Sequence, residues 1–158
     1  MITLRTISYD DFFECIQLEP FEHQKQFVAS NLYSLAEAYI ASANGDFVPM
    51  PYGIYAGEDM VGFIMLAYDP ADPDDGDDES VYKICRLMLD KRYQGRGYAR
   101  KAVEQALALI RSFPYGEAGL VVLSYKPTND RARRLFSSLG FQETGEMNDD
   151  EVWAVLEL

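Results

Sequence analysis

A six-residue stretch, Gln94-Gly95-Arg96-Gly97-Tyr98-Ala99, constrains the fold more than any other part of the chain. It lies between an apolar run that ends near Leu89 and an amphipathic run that begins at Ala99, which predicts a strand, a tight turn and a helix. Glycine lets the backbone approach a ligand closely, and the first turn of a helix carries unpaired N–H groups and the positive end of the helix dipole. This stretch therefore predicts a phosphate-binding loop.

The charge of the chain is unevenly distributed. Its 158 residues include 26 Asp and Glu against 14 Lys and Arg, a formal net charge of −12, yet many of the basic residues fall between Lys91 and Arg134. Such an acidic chain is not expected to bind nucleic acid, which needs a basic face. The asymmetry predicts one anionic ligand seated locally and one cationic ligand drawn from outside.

Length and composition predict one domain spanning residues 1–158. No apolar run is long enough to span a bilayer and no apolar stretch follows Met1–Arg5 as it would in a signal peptide, so we expect a cytoplasmic protein that does not bind membranes. Cys15 and Cys85 form no metal motif and no disulfide framework, and we expect both to be small buried groups. We expect no metal site, and we expect the only histidine, His23, on the surface.

Hydrophobic periodicity predicts an α/β (α+β) fold with about seven strands and about four helices. Strands are expected at about 2–7, 52–56, 60–66, 80–89, 120–125, 141–146 and 152–158. Helices are expected after Ser8, from 24 to 43, from 99 to 113 and from 128 or 129 to 139. The apolar run 120–125 predicts a central strand covered on both faces.

Two of the helices have an expected buried stripe. In the first helix it contains Phe12, Phe13 and Ile16. In the second it contains Phe27, Val28, Asn31, Leu32, Leu35, Ala36, Tyr39 and Ala43. The acidic run Asp69–Glu79 cannot bury apolar surface, so we expect a solvated loop, either a plain connection or a segment that attracts polycations.

A Gly-x-Gly motif alone is compatible with several kinds of site. A dinucleotide-binding fold needs a third glycine, which position 100 lacks. The phosphate loop of nucleotide hydrolases ends in Gly-Lys-Ser or Gly-Lys-Thr, and that sequence is absent. The motif is also compatible with a turn between strand and helix that binds no ligand.

The longer stretch Leu87–Ala99 resembles the acyl-CoA signature of the GCN5-related N-acetyltransferases, the GNAT family. The core of that signature, Gln/Arg-x-x-Gly-x-Gly/Ala, is matched by Gln94, Gly97 and Ala99. A second stretch, 129–141, resembles the family's second CoA-side helix and the exit from it. The resemblance implies a single-domain GNAT-like fold with a mixed central sheet, and acetyl-CoA as co-substrate.

Within the family, nearly the whole chain is similar to bacterial spermine/spermidine (diamine) acetyltransferases. The similar segments are 26–31, 34–39, 52–55, 86–90 and 93–95. This resemblance implies acetyl transfer to a small-molecule primary amine, with polyamines as first choice, and it implies that the chain can form a homodimer. Acetylation of a protein N-terminus, lysine or amino-sugar remains open, as does a non-catalytic acyl-CoA binding module.

The resemblance also implies which residues hold the cofactor. The backbone of 87–89 would bind the pantetheine arm, the N–H groups of 94–100 would cradle the pyrophosphate, and the residue at 129 would contact the cofactor. The cofactor-binding residues are therefore expected to be Leu87, Met88, Leu89, Gln94, Gly95, Arg96, Gly97, Tyr98, Ala99, Arg100 and Asn129.

The catalytic and acceptor residues are expected elsewhere. The family usually places a proton-donating tyrosine where this chain has Phe136, which donates no proton, so the leaving thiolate must be protonated by Tyr125, by Tyr98 or by water, unless catalysis is poor. Tyr125 is the candidate catalytic residue. A polycationic acceptor needs carboxylates, for which the candidates are Glu19, Glu22 and Glu37.

Overall fold

The computed structural model describes residues 1–158, which form one seven-stranded sheet with four α-helices. The strands are β1 (Ile2–Thr6), β2 (Val48–Ala56), β3 (Asp59–Asp69), β4 (Val81–Leu89), β5 (Leu120–Tyr125), β6 (Gln142–Asn148) and β7 (Glu151–Glu157). The helices are α1 (Tyr9–Gln17), α2 (Asn31–Asn44), α3 (Tyr98–Arg111) and α4 (Asp130–Ser138). None of these helices combines the length and the apolar character needed to cross a membrane.

The spatial order of the strands is β1-β2-β3-β4-β5-β7-β6. Neighbouring strands are antiparallel except β4 and β5, which run parallel, so the sheet is mixed. The predicted fold class is thereby confirmed, with its seven strands, four helices and order of elements.

Helix α1 begins where the sequence predicted but buries a different face. Ser8 caps it, since the Asp11 N–H donates to Ser8 Oγ at 3.3 Å and the Ser8 N–H donates to the Asp11 carboxylate at 3.4 Å. The expectation that Phe13 lies in the buried stripe is wrong, because its side chain is 59% exposed. The helix packs through the fully buried Cys15 instead.

The second predicted helix begins later than expected. Residues 22–24 form a short 3-10 helix, and α2 starts only at Asn31, because the hydroxyl of Ser30 accepts a hydrogen bond from Tyr33 N–H and ends the preceding loop. The expected stripe is also rotated, since Leu32 and Tyr39 are 54% and 73% exposed. The buried face consists of Asn31, Ser34, Ala38 and Ala41, small and polar side chains that let the helix lie close to the sheet.

The two faces of the sheet carry two apolar clusters. Helix α3 packs on one face, where its alanines and Val103 contact residues of β1 to β5 and of α4. Helices α1 and α2 cover β2 to β4 on the other face through a smaller cluster that includes Phe63 and Met88. The expectation that 120–125 is covered on both faces is wrong, because burial alternates along β5 and only Val121, Leu123 and Tyr125 are buried.

The cysteine and histidine expectations are largely confirmed. His23 is exposed, Cys15 is fully buried and Cys85 is partly buried. Burial raises the pKa of the Cys15 thiol to about 12 and that of Cys85 to about 11. Both sulfurs therefore stay protonated at neutral pH and are poor nucleophiles.

The parallel pair β4–β5 is held over a short length only. Its register joins Val81 to Leu120, Tyr82 to Val121 and Lys83 to Val122, and no pairing follows. Just beyond Lys83, β4 carries a bulge, since Ile84 lies opposite Leu66 and Arg86 opposite Met65, which leaves Cys85 as the extra residue. The strands part from there to their carboxyl ends.

Gly62 lets β3 approach the carboxyl end of β4, and we predict that Gly62→Ala destabilises the fold. A Cβ at this position would collide with the Met88 carbonyl oxygen and lie 2.6 Å from Leu89 Cδ2. Such overpacking typically costs about 1–3 kcal/mol of unfolding free energy, measured by urea denaturation. Gly119→Ala is the matched control, because a Cβ there meets nothing within 4 Å. Equal stability of the two variants would contradict the close approach.

Candidate active site

The turn after β4 is anchored by a buried carboxylate. Asp90 is 3% exposed and accepts three hydrogen bonds, from Arg92 N–H at 2.9 Å, from Arg92 Nε at 2.8 Å and from Glu19 N–H at 3.0 Å. Burial raises the pKa of Asp90, but the Arg92 and Glu19 hydrogen bonds outweigh it and hold the pKa below its usual value. Asp90 thus ties the end of β4 to the loop after α1.

The side chain of Gln94 is used entirely for holding the loop in place. Its Nε2 donates to the Leu89 carbonyl at 2.9 Å, and its amide pairs reciprocally with that of Gln24 at 2.8 and 2.9 Å. Arg131 of α4 donates to its Oε1 at 3.0 Å. Because its side chain is used in this way, Gln94 can contact a ligand only through its backbone. The same hydrogen bonds fix the loop against α4 and against the 3-10 helix of residues 22–24.

The backbone N–H groups of 94–100 form no hydrogen bond within the protein. Gly95 and Gly97 adopt φ of +79° and +78°, a left-handed conformation that turns consecutive N–H groups toward one side and favours glycine. Gly97 is the N-cap of α3 and provides no side-chain cap, and no acidic residue lies in the first turn of that helix. A row of free N–H groups at a helix N-terminus fits a phosphate ligand.

Three arginines beside the loop, Arg92, Arg96 and Arg100, are held by contacts with other side chains. Arg92 and Arg96 lie over the ring of Tyr93, with guanidinium carbons 5.2 and 5.6 Å from its centroid. Arg100 donates to Ser138 of α4 at 2.7 Å and pairs with Glu104 at 3.2 Å. These contacts hold three guanidinium groups beside the loop, two of them paired with the carboxylates of Asp90 and Glu104.

The other expected cofactor residues lie around the opening between β4 and β5. Leu87, Met88 and Leu89 form the carboxyl end of β4, where the edge facing β5 has no strand partner. Their side chains pack into the two apolar clusters, so only their backbone faces the opening. Asn129 caps α4 by accepting a hydrogen bond from Ala132 N–H at 3.3 Å.

Tyr125 and Phe136 are packed against each other. Their rings stack with centroids 6.3 Å apart, and Phe136 is 6% exposed. The Tyr125 hydroxyl donates to Glu143 at 2.8 Å, and Arg133 Nε donates to the same oxygen at 2.9 Å. Burial and the bond to Glu143 raise the pKa of Tyr125 to about 12. The role of Tyr125 as proton donor stays a prediction. To protonate the leaving thiolate, its hydroxyl would first have to break the hydrogen bond to Glu143.

The three expected acceptor carboxylates each lie beside a cation of the chain. Glu22 pairs with Lys25 at 2.9 Å and Glu19 with Lys91 at 3.9 Å. Glu37 of α2 lies 3.5 Å from Arg86, the residue after the β4 bulge. Sequence reasoning missed the Gln24–Gln94 pair, the hydrogen bond from Glu19 N–H to Asp90 and the Ser124–Glu151 hydrogen bond of 2.7 Å, because each of them joins residues that are distant in the chain.

We predict that Asp90→Asn lowers stability at neutral pH and removes part of its acid dependence. An amide cannot accept all three bonds, and an unsatisfied buried group costs about 1–3 kcal/mol. Because the folded pKa is depressed, the contribution of Asp90 is present above the unfolded pKa of about 4 and is lost as pH falls through the lower folded value. Urea unfolding across the acid range measures this. Parallel curves for wild type and variant would contradict it.

The chain is similar to a known family of proteins and to individual proteins with known activities. Residues 3–141 match the Acetyltransferase (GNAT) family. The spermine/spermidine N(1)-acetyltransferase of Bacillus subtilis (strain 168) is 25% identical over 147 residues, 93% of this chain and 91% of that protein. The N-alpha-acetyltransferase RimI of Mycobacterium tuberculosis (strain ATCC 25618 / H37Rv) is 26% identical over 146 residues, 91% of this chain and 80% of that protein.

The fold has known structural counterparts as well. The aminoglycoside acetyltransferase AAC(6')-Ib, solved in complex with coenzyme A, superimposes with a TM-score of 0.74 at 20% identity, covering 99% of this chain and 95% of that one. The family match spans most of the chain and includes both the loop of 94–100 and α4. The protein therefore belongs to the GNAT family and is an N-acetyltransferase whose co-substrate is acetyl-CoA.

Proposed function

We propose that the protein transfers the acetyl group of acetyl-CoA to a primary amine of a polyamine such as spermine or spermidine. The observation that carries the cofactor half of this proposal is the row of free N–H groups at 94–100, placed at the end of two parted strands. The similarity to the Bacillus subtilis enzyme over 93% of the chain supports the acceptor half.

The residues around the opening have distinct roles in this proposal. The N–H groups of 94–100 hold the pyrophosphate, and Asn129 contacts the cofactor from α4. The open edge of β4 at 87–89 binds the pantetheine arm through backbone groups, and an N–H near Leu89 faces the thioester oxygen. Acetyl-CoA supplies the activated acetyl thioester, and the protein aligns it with the amine, an effect worth up to about 7–11 kcal/mol.

The acidic surface supports a polycationic acceptor. The loop between β3 and β4 contains a 3-10 helix at Pro73–Asp75 and is exposed. Unlike Asp69, which pairs with Lys83 at 3.0 Å, the later acids of this loop have no ion-pair partner. These acids are Asp72, Asp74, Asp75, Asp77, Asp78 and Glu79. Their combined field raises the local concentration of a polyamine more than that of a monoamine.

A second acceptor class has support of its own. The relative named an N-alpha-acetyltransferase is 26% identical over 91% of the chain, about as similar as the polyamine enzyme. Acetylation of a peptide amine is therefore the alternative that the first experiment must separate from polyamine acetylation.

The experiment is thiol release from acetyl-CoA across a panel of amines: spermine, spermidine, putrescine, an aminoglycoside and a lysine peptide, with an enzyme-free control. Turnover on the polyamines alone is the expected result. Turnover on the peptide or the aminoglycoside, without polyamine activity, would overturn the proposed acceptor and leave the acetyltransferase assignment intact.

We predict that Gly97→Glu abolishes acetyl-CoA binding. The added side chain places negative charge and bulk at the N-cap of α3, where the pyrophosphate is proposed to lie. Isothermal titration calorimetry measures the affinity.

Gly45→Glu is the matched control for this substitution. Gly45 ends α2 with a φ of +74° and has nothing near its Cβ position, so it imposes the same backbone strain far from the loop. Wild-type affinity in Gly97→Glu would refute the phosphate-binding assignment.

We predict that replacing the acids of 74–79 with Asn and Gln raises KM for spermidine and leaves KM for a monoamine unchanged. The loop acts through its field, which scales with the charge of the acceptor, so kcat should not change. Raising the salt concentration in the wild type should mimic the substitution, because salt screens exposed charges. Equal effects on the two amines would show that the loop does not attract polycations.

A further inference from the structure

One part of the sheet surface, formed by Val122 of β5 and by Trp153 and Val155 of β7, belongs to neither apolar cluster. We call it the strip. Side chains alternate along a strand, and Leu123 of β5 and Ala154 of β7 belong to the cluster under α3. Val122, Trp153 and Val155 therefore point to the opposite face, where they are only partly buried and belong to neither cluster. Helices α1 and α2 cover this face over β2 to β4 but not over β5 and β7.

A carboxylate lies at the end of this strip nearest the opening between β4 and β5. Glu151, the first residue of β7, accepts a hydrogen bond from Ser124 Oγ at 2.7 Å, and Ser124 lies directly across from Trp153. Ser124 is two residues beyond Val122, the last residue of β5 that pairs with β4. We call Ser124, Glu151 and Trp153 the Glu151 site.

Glu151 differs from the other carboxylates near the opening in having no cationic partner. Glu19, Glu37 and Glu143 each pair with a lysine or arginine. Glu151 is partly buried and is held by a neutral hydroxyl, so its charge is left uncompensated within the chain. Glu151 and Trp153 are two positions apart in β7, so their side chains lie on the same face of the strand. Trp153 is the only tryptophan of the chain.

A free carboxylate and an indole on one face have the chemistry that binds an ammonium group, through an ion pair and a cation–π contact. We propose that the Glu151 site binds the attacking ammonium of the acceptor and that Glu151 removes its proton. This inference rests on the proposed function, because it needs an amine acceptor. It does not depend on which amine the protein acetylates.

Glu151 acts as the base in the transfer of the acetyl group. The bound ammonium gives one proton to the Glu151 carboxylate, and the freed lone pair forms the bond to the acetyl carbon. The carbon–sulfur bond breaks, and a second proton of the nitrogen goes to the departing sulfur. The products are the N-acetyl amine and free coenzyme A, and Glu151 returns its proton to water. Ser124 does not touch the amine and is a positioning residue.

Trp153 allows amine binding to be measured without turnover. Spermidine is titrated into the wild-type protein in the presence of coenzyme A while the intrinsic tryptophan fluorescence is followed. We expect a saturable change in emission, which is weakened in Glu151→Gln. The absence of any change at saturating spermidine and at saturating concentrations of each other amine in the panel would overturn the site.

Turnover tests the role of Glu151 as base. Glu151→Gln keeps an oxygen that can accept from Ser124, so the fold is preserved, and kcat/KM for the amine is expected to fall about 100-fold, as for loss of a general base. KM for acetyl-CoA should not change. Glu157→Gln is the control, because it removes the same charge from the same face of β7 at the far end of the strand. Wild-type kcat/KM in Glu151→Gln would overturn the proposal.

The positioning role of Ser124 has its own readout. Ser124→Ala should lower kcat with little effect on KM for acetyl-CoA, and Ser124→Thr, which restores a hydroxyl, should recover it. Failure of the threonine to recover kcat would contradict positioning through this bond.

Two further outcomes separate this inference from competing explanations. If the wild type acetylates another amine of the panel but no polyamine, the proposed acceptor fails. Wild-type kcat/KM of Glu151→Gln for that other amine would then overturn the Glu151 site as well, and a fall of about 100-fold would support it. If Trp153 is protected from acrylamide in a concentration-dependent dimer, and Trp153→Glu gives a monomer with full activity, a second copy covers the strip and the amine site is overturned.

Discussion

The short pairing of β4 with β5 is the feature on which the rest of the site depends. Three residue pairs join these parallel strands, and the bulge at Cys85 then turns β4 away. An edge that lies inside a sheet leaves backbone groups without partners, and such groups require a ligand or water. The position of the opening is fixed on both sides. At one side β4 last pairs with β5 at Lys83, and at the other the hydrogen bonds of the buried Asp90 and of the Gln94 amide fix the turn after β4.

In the proposed function, the same geometry separates the two kinds of ligand. The loop of 94–100 leads into α3 and has Arg92, Arg96 and Arg100 beside it, which favours an anionic ligand there in a chain whose net charge is −12. Many acidic side chains lie in the loop between β3 and β4, and others lie around the opening. In the proposed function, a cationic acceptor and an anionic cofactor are attracted to different surfaces of the molecule. Most carboxylates near that opening are neutralised by lysine or arginine, and Glu151 is the exception.

The sequence predicted those parts of the molecule that depend on local patterns. The strand, glycine turn and helix around Gly97 and the helices that begin after Ser8 and Asn129 all form as expected. Residues 24–30 have helical spacing, but a bond between Gln24 and Gln94, 70 positions apart, and the cap at Ser30 keep them out of α2. The parting of the strands and the Ser124–Glu151 contact depend on sheet register, which no local pattern specifies.

We propose that the backbone of 94–100 holds the pyrophosphate of the cofactor at the end of the parted strands. Amide chemical-shift changes on titration with coenzyme A test it most directly, because hydrogen bonds to phosphate move the N–H resonances that form them. We expect large downfield shifts for the N–H groups of 94–100, together with changes at 87–89. Shifts confined to other parts of the chain, with the resonances of 94–100 unmoved, would contradict it.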